Sequence, residues 1–433
     1  MKKLPGLRAL IQRISPLVIA GLCCVRQEAV AANGHWVGTW ACGPQMVENT
    51  SSQNNLPPAP LAYSTLRQFV HTTVGGQHLR VRFSNAYGQY STNVVVIQSA
   101  HIALAAGTGS VTNGVINPAT DTPLTFHGAT SVTIPPGEVV WSDPCDFNLP
   151  ALTNLAITIY YGFVEPNVVN VGNAITGHPG SRTTSYIRAD NWVSATGMSN
   201  AVPGTATTLH WYTITGVDVL ANSSSHAVTI LGDSITDGRG SDNDLNDRWP
   251  DDFAARLSTN PPTASVAVLN QGIGGGGIFS GLGPSGLNRF DRDMWEQSGA
   301  RWMIIFIGVN DIGTDGSSTT TNQATTFAQN MIAAYSTWAN KAHAHHMLAY
   351  GATITPFGGN SYYTPIHEYE RQYVNAWFRT NTVYDGLIDL DAAMQSSTNA
   401  AYLNAAYEFE WLHFNPTGNQ AAANSIDLTL FTH

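Results

Sequence analysis

Ala227-Val228-Thr229-Ile230-Leu231-Gly232-Asp233-Ser234-Ile235-Thr236-Asp237 joins an uncharged, β-branched run to a Gly-Asp-Ser turn. A short apolar run bounded by turn residues predicts a strand buried on both faces. The same signature recurs downstream. Val266–Leu269, Trp302–Ile307, Leu348–Ile354 and Leu387–Leu390 are apolar strand candidates, and Trp249–Leu257, Thr325–Ala342 and Glu368–Arg379 are helical ones. Strands of this kind alternating with helices predict a parallel sheet covered on both faces. In open sheets of that class, ligands sit beyond the carboxyl ends of the strands.

Upstream the pattern changes. Residues 34–221 read as short strands divided by Gly, Pro and Asn turns: His78–Phe83, Asn93–Ile97, Ser131–Ile134, Leu155–Tyr161 and Leu209–Thr215. Many short strands at such spacing predict an all-β sandwich of jelly-roll type. Asn222-Ser223-Ser224-Ser225 is the linker between this domain and the α/β domain over 226–433. Residues 1–31 resemble an export signal. Lys2, Lys3, Arg8 and Arg13 precede the apolar run Ile14–Val25, and Ala29-Val30-Ala31 supplies small residues for cleavage. A secreted or periplasmic protein is expected, with no segment long and apolar enough to span a membrane.

The whole chain has 433 residues, only 11% charged, with a net charge of −10. Loss of residues 1–31 removes five cations and one anion and deepens the charge to −14, leaving Lys341 as the sole lysine. A nucleic-acid or anionic-membrane partner calls for the opposite sign in patches. Cys42 and Cys145 stay in the exported chain. An even count in an oxidising compartment suggests one disulfide, and two buried thiols are the alternative.

Four segments fall where the strand-end rule points: the turn at Ser234, Asn270-Gln271-Gly272-Ile273-Gly274-Gly275, Gly308-Val309-Asn310-Asp311, and Glu410-Trp411-Leu412-His413. Together they hold the parts for acyl transfer. A serine hydroxyl needs an adjacent base to become a nucleophile, which His413 supplies. Glu410, three residues earlier, is within one turn of the imidazole and is the candidate for holding its tautomer. The Ser234 and Gly275 amides and the Asn310 side chain are candidate donors to an oxyanion. Asp233 and Asp237 read as capping or turn-holding residues. Arg239, Arg248 and Arg289 fit ion pairs or substrate steering equally. His343, His345 and His346 lack carboxylates nearby in sequence and read as solvated surface, so no metal is expected.

In order and context, Ser234, Gly275, Asn310 and His413 resemble the SGNH (GDSL-type) hydrolase family over about 226–433. Arg248-Trp249-Pro250, Gly283-Pro284-Ser285 through Arg289-Phe290-Asp291, and Thr355-Pro356-Phe357 resemble a secreted acylhydrolase and arylesterase subgroup with an N-terminal β-sandwich. Trp36–Trp40, Leu66-Arg67-Gln68 and Ser84-Asn85-Ala86 are similar to that sandwich. The resemblance implies a flavodoxin-like three-layer fold, Ser234 as nucleophile, His413 as base, Gly275 and Asn310 as oxyanion donors, and no cofactor. It implies a serine esterase acting on a short acyl (acetyl or aryl) ester, on a small molecule or acylated plant polysaccharide. One departure is visible: Glu410-x-x-His413-Phe414 stands where the family has Asp-x-x-His-Pro. That departure favours a second reading, a carbohydrate-binding protein whose hydrolase domain is weak.

Overall fold

The computed structural model describes residues 34–47, 55–90, 94–107, 111–164 and 175–432. The export-signal candidate over 1–31 lies outside them. The β-rich half is built on β1 (His35–Ala41), β2 (Ser64–Thr72), β3 (Gly76–Ser84), β4 (Val95–Leu104), β5 (Thr153–Val164), β6 (Ser185–Ala189) and β7 (Ile214–Ala221). One sheet runs β1-β7-β3, with strands 139–141 and 145–149 added to β3. The other runs from strand 205–208 through β6-β2-β5-β4. These pairings are antiparallel. Val37, Val81, Val217 and Val219 from the first sheet meet Leu66, Ile97, Ile157 and Ile159 from the second in one buried cluster. Alternation along each strand sends the remaining side chains outward.

The run Leu209–Thr215 is not one strand. Thr213 adopts a left-handed φ of +60°, so Trp211–Tyr212 pairs with Thr176–His178 while the chain from Ile214 enters the first sheet. A strand pattern cannot show such a reversal at a β-branched residue, where positive φ is unusual.

The α/β half comprises β8 (His226–Gly232), β9 (Val266–Gly272), β10 (Ala300–Phe306), β11 (Leu348–Ala352) and β12 (Gly386–Ile388), ordered β9-β8-β10-β11-β12 with every neighbour parallel. The order reverses at β8, which puts a crevice at its carboxyl end beside β10. Helices α1 (Ser234–Asp237), α2 (Trp249–Thr259), α3 (Gly286–Asp293), α4 (Val309–Gly313), α5 (Thr321–Ala344), α6 (Pro365–Thr380), α7 (Leu390–Met394) and α8 (Pro416–Ser425) follow. Phe253 and Leu257 of α2 and Tyr335 and Trp338 of α5 bury against Val228, Ile230 and Ile304. Among the described residues no helix is long and apolar enough to cross a membrane.

The expected covering of the sheet by helices on both faces is interrupted near β9. Ala227, Ala267 and Leu269 pack into the sandwich cluster rather than against helices. Strand β1 lies over them: the Gly38 amide donates to the Ser298 carbonyl at 2.8 Å, and a Cβ at Gly38 would stand 2.9 Å from a Leu269 methyl. The two halves thus share apolar surface.

The disulfide suggested by cysteine parity does not form. The Cys42 thiol donates to the Ile214 carbonyl and the Cys145 thiol to the Leu79 carbonyl. Ile214 is paired with Phe83, four residues along β3 from Leu79. At ~3.3 Å per strand residue that is roughly 13 Å, beyond the reach of a bridge.

Because Leu269 is fully buried between the halves, Leu269→Ala should destabilise the protein by about 2–5 kcal/mol. The half-exposed Leu387→Ala should cost under about 1 kcal/mol. Urea unfolding followed by tryptophan fluorescence compares the midpoints; equal midpoints would mean that the shared surface carries no stability.

Candidate active site

Each of the four chemistry-bearing segments leaves the carboxyl edge of the sheet or a loop folded over it. Gly232 ends β8 where a Cβ would strike Thr236, which permits the tight turn into α1. The Asp233 carboxylate caps that turn, accepting from the Ile235 amide at 3.0 Å. Burial pushes this carboxyl up to about 7. Ser234 is the first helical residue, so its backbone N–H belongs to the set that lacks intrahelical acceptors. Its hydroxyl lies 2.8 Å from His413 Nε2, and both residues are buried although 179 positions apart.

The proposed donors gather on the same cleft. Gly275 follows β9 with φ +69°, and a Cβ there would stand 2.7 Å from a Leu282 methyl. Asn310 lies in α4, directly after β10 and Gly308. Its Nδ2 donates one hydrogen to the Gly276 carbonyl at 2.8 Å, and its Oδ1 accepts from the Tyr362 hydroxyl at 3.0 Å. Those two bonds fix the amide plane and leave its second Nδ2 hydrogen for a ligand. A cleft of about 400 Å³ is lined by Ser234, His413, Gly275, Asn310 and Tyr362 from the α/β half, and by Asn55, Gly180 and Arg182 from the sandwich.

Glu410 is beside the imidazole but not bonded to it. Its Oε2 lies 3.6 Å from His413 Nδ1, outside hydrogen-bond distance, and the buried Nδ1 has no hydrogen-bond partner. Both carboxylate oxygens instead accept from Arg239, at 3.0 and 2.8 Å. Glu410 and Trp411 both take left-handed φ, near +57°, which turns this half-exposed side chain toward the cleft mouth. Glu408, the other acid nearby, accepts from the Trp411 amide at 2.9 Å and serves the loop. Burial first, then the Arg239 charge, pushes His413 down to about 4, with Glu410 opposing. The ring is therefore neutral at neutral pH.

The other sequence candidates separate cleanly. Arg289 is buried, donating to the Gln271 and Gly232 carbonyls and to Asp293, and it holds the ends of β8 and β9. Arg248 donates to the Asp237 and Ser181 carbonyls. Only Arg239 of the three reaches the cleft. His343 pairs with Asp385 at 2.8 Å, a carboxylate distant in sequence, and His345 stacks on Trp295.

Sequence reading missed the part played by Asp237. Its Oδ1 lies 2.9 Å from His178 Nε2 across the boundary between the halves, and its Oδ2 accepts from the Gly274 amide at 3.0 Å. His178 Nδ1 faces the Gly43 carbonyl at 2.8 Å. Tyr362 and Arg182 were missed as well. No local pattern marks either: Tyr362 sits in an irregular loop after β11, and Arg182 in a turn of the sandwich.

Residues 230–421 match the GDSL-like Lipase/Acylhydrolase family. No curated protein sequence matches the chain. Solved structures similar to the α/β half include the acetyl xylan esterase AlAXEase, at 21% identity over 46% of this chain and 96% of that one, TM-score 0.35. A variant acetyl xylan esterase of Geobacillus stearothermophilus is similar at 19% identity over 46% and 92%, TM-score 0.36. A GDSL-like lipase of Bacteroides thetaiotaomicron is similar at 16% over 46% and 86%, TM-score 0.32. The α/β half of this chain, with its Gly-Asp-Ser turn at the crest of a parallel sheet, is a domain of the GDSL-like lipase/acylhydrolase (SGNH) family.

Proposed function

We propose that the chain is a serine esterase that cleaves short acyl (acetyl or aryl) esters through an acyl-enzyme. The observation that carries this is the 2.8 Å contact between the Ser234 hydroxyl and His413 Nε2 inside a cleft lined by Gly275 and Asn310. In the first step Ser234 Oγ bonds to the ester carbonyl carbon while His413 Nε2 takes the hydroxyl proton. The Ser234 and Gly275 amides and the free Asn310 Nδ2 hydrogen receive the oxyanion. Each such donor is worth roughly 3–4 kcal/mol of barrier. Collapse expels the alcohol, protonated by His413. Water then attacks the acyl-enzyme, gives its proton to His413, and frees the acid and Ser234.

Ser234 and His413 act as a dyad in this reading, with Glu410 an electrostatic neighbour rather than a bonded triad acid. The cleft favours a short acyl group joined to a polar alcohol: it is open, and only Leu282 and Leu412 among its lining residues are large aliphatics. A small ester or an acylated plant carbohydrate fits that description. An exported location rests on the basic, apolar and small-residue order of residues 1–31.

A fluorophosphonate probe should label Ser234, read by peptide mass mapping. Ser234→Ala and His413→Ala should each lower kcat on para-nitrophenyl acetate by about four orders of magnitude or more. Labelling elsewhere, or turnover retained by Ser234→Ala, would overturn the assignment. Glu410→Gln should cost at most about tenfold, against the roughly 10⁴-fold that follows removal of a hydrogen-bonded triad acid's charge.

The pH profile gives a second check. A base works only when unprotonated, so kcat/KM falls as pH drops through the His413 pKa. Since burial and Arg239 push that group down to about 4, the acid limb should lie well below 6, the ordinary imidazole range. Arg239→Gln removes the opposing cation and releases Glu410 toward Nδ1. Both changes favour the imidazolium, so the limb should move to higher pH; an unmoved or lowered limb contradicts the dyad electrostatics.

A further inference from the structure

Arg182 projects from the sandwich into the cleft that holds Ser234 and His413. Its side chain has no hydrogen bond or ion pair among the described residues, and its Nε is buried without a partner. The carboxylates nearest it are otherwise engaged: Asp237 by His178 and the Gly274 amide, Glu410 by both arms of Arg239. A half-buried guanidinium carries a fixed charge, and leaving its buried Nε–H unmet costs free energy. That cost is incurred at the one place where a substrate would be seated.

The turn bearing Arg182 is built to hold it there. Arg182 takes a left-handed φ of +47°, a strained conformation for a side chain of this kind. It is clamped from the α/β half on both sides. The Asp244 amide donates to the Arg182 carbonyl at 2.8 Å, and the Asp244 carboxylate accepts from the Thr184 amide and hydroxyl. Arg248 donates to the Ser181 carbonyl. Asp244 and Arg248 are themselves buried. Strain maintained by surrounding bonds at a cleft marks a positioned group rather than a loose surface arginine.

We propose that Arg182 is a specificity-determining residue that binds a carboxylate carried by the ester substrate. The proposal rests on the esterase reading above and narrows its substrate class to esters bearing an acidic group near the scissile bond. That group belongs either to the alcohol, as in an acetylated uronic acid sugar, or to the acyl part, as in a hemisuccinyl ester. A planar guanidinium matches a carboxylate through two parallel N–H bonds, and in a partly desolvated cleft such a pair is stronger than in water.

The test uses the full chain and matched substrates. Acetate release from acetylated glucuronic acid is compared with release from acetylated glucose, and hydrolysis of para-nitrophenyl hydrogen succinate with that of para-nitrophenyl butyrate. In at least one pair the acidic member should be favoured in kcat/KM by about tenfold or more at low salt, mainly through KM. The preference should shrink as ionic strength rises. The pair that shows it identifies the side that carries the carboxylate. Arg182→Gln should bring that ratio to about one, and Arg182→Lys should keep part of it. Free glucuronate or succinate should inhibit the unaltered enzyme more strongly than glucose, a measurement that needs no variant. Turnover with no acidic preference in either pair, or a ratio unchanged by Arg182→Gln, overturns this proposal alone. Absence of turnover on all four substrates, with no probe adduct on Ser234, overturns the esterase reading and this one with it.

Discussion

The carboxylate of Asp237 is the joint on which the arrangement depends. It stands at the end of the serine turn, which the Asp237 amide closes onto the Asp233 carbonyl, and it reaches the Gly274 amide in the glycine loop and crosses to His178 in the sandwich. His178 is held at both ring nitrogens, with Nε2 against Asp237 and Nδ1 against the Gly43 carbonyl. Packing tightens the joint: Gly180 leaves no room for a Cβ against Asp237, and the His178 ring stacks on Trp211. A buried pair of this type contributes little net stability compared with apolar packing, but removing one member would strand the other. Its use is geometric. It fixes in one contact the serine turn, the glycine loop and the wall that faces them.

The imidazole sits in a balance of opposing charges. Burial and two nearby guanidinium groups disfavour its protonated form, and Glu410 favours it from 3.6 Å. A carboxylate hydrogen-bonded to Nδ1 would orient the ring and stabilise the imidazolium together. Here orientation is left to the close packing around a buried ring, and Arg239 keeps most of the carboxylate's charge for itself. The additional methylene of Glu, compared with Asp, gives the carboxylate the length to reach the arginine at the cleft mouth.

Much of the α/β half is legible in sequence because strands buried on both faces read as unbroken apolar runs, and the residues that end them stand out as Gly, Asn, Asp and Ser. Ser234, Gly275 and Asn310 are found that way, His413 as the base that a serine needs, and the four meet in one cleft. What stayed hidden is set by distance along the chain. Spacing suggests that Glu410 serves His413, yet Arg239, 171 positions earlier, holds it. Cysteine parity suggests a bridge, yet the sheet register keeps the two thiols roughly four residues apart along a strand. The turn at Gly180 and Arg182 carries no periodicity and no motif, so nothing in its sequence points to a serine some fifty positions on. Thr213 breaks a run that reads as continuous because backbone handedness at a single residue leaves no trace in hydropathy.

Asp244 and Arg248 clamp the sandwich turn to the α/β half, so the two sides of the cleft are set as one piece. Ser234 and His413 lie on one half of the chain, and Arg182 comes from a short turn on the other. Exchanging that turn would disturb the serine as well, because Gly180 and His178 abut Asp237 at the end of the serine turn. The compact segment around the serine, expressed by itself, would be left with a doorway missing one jamb.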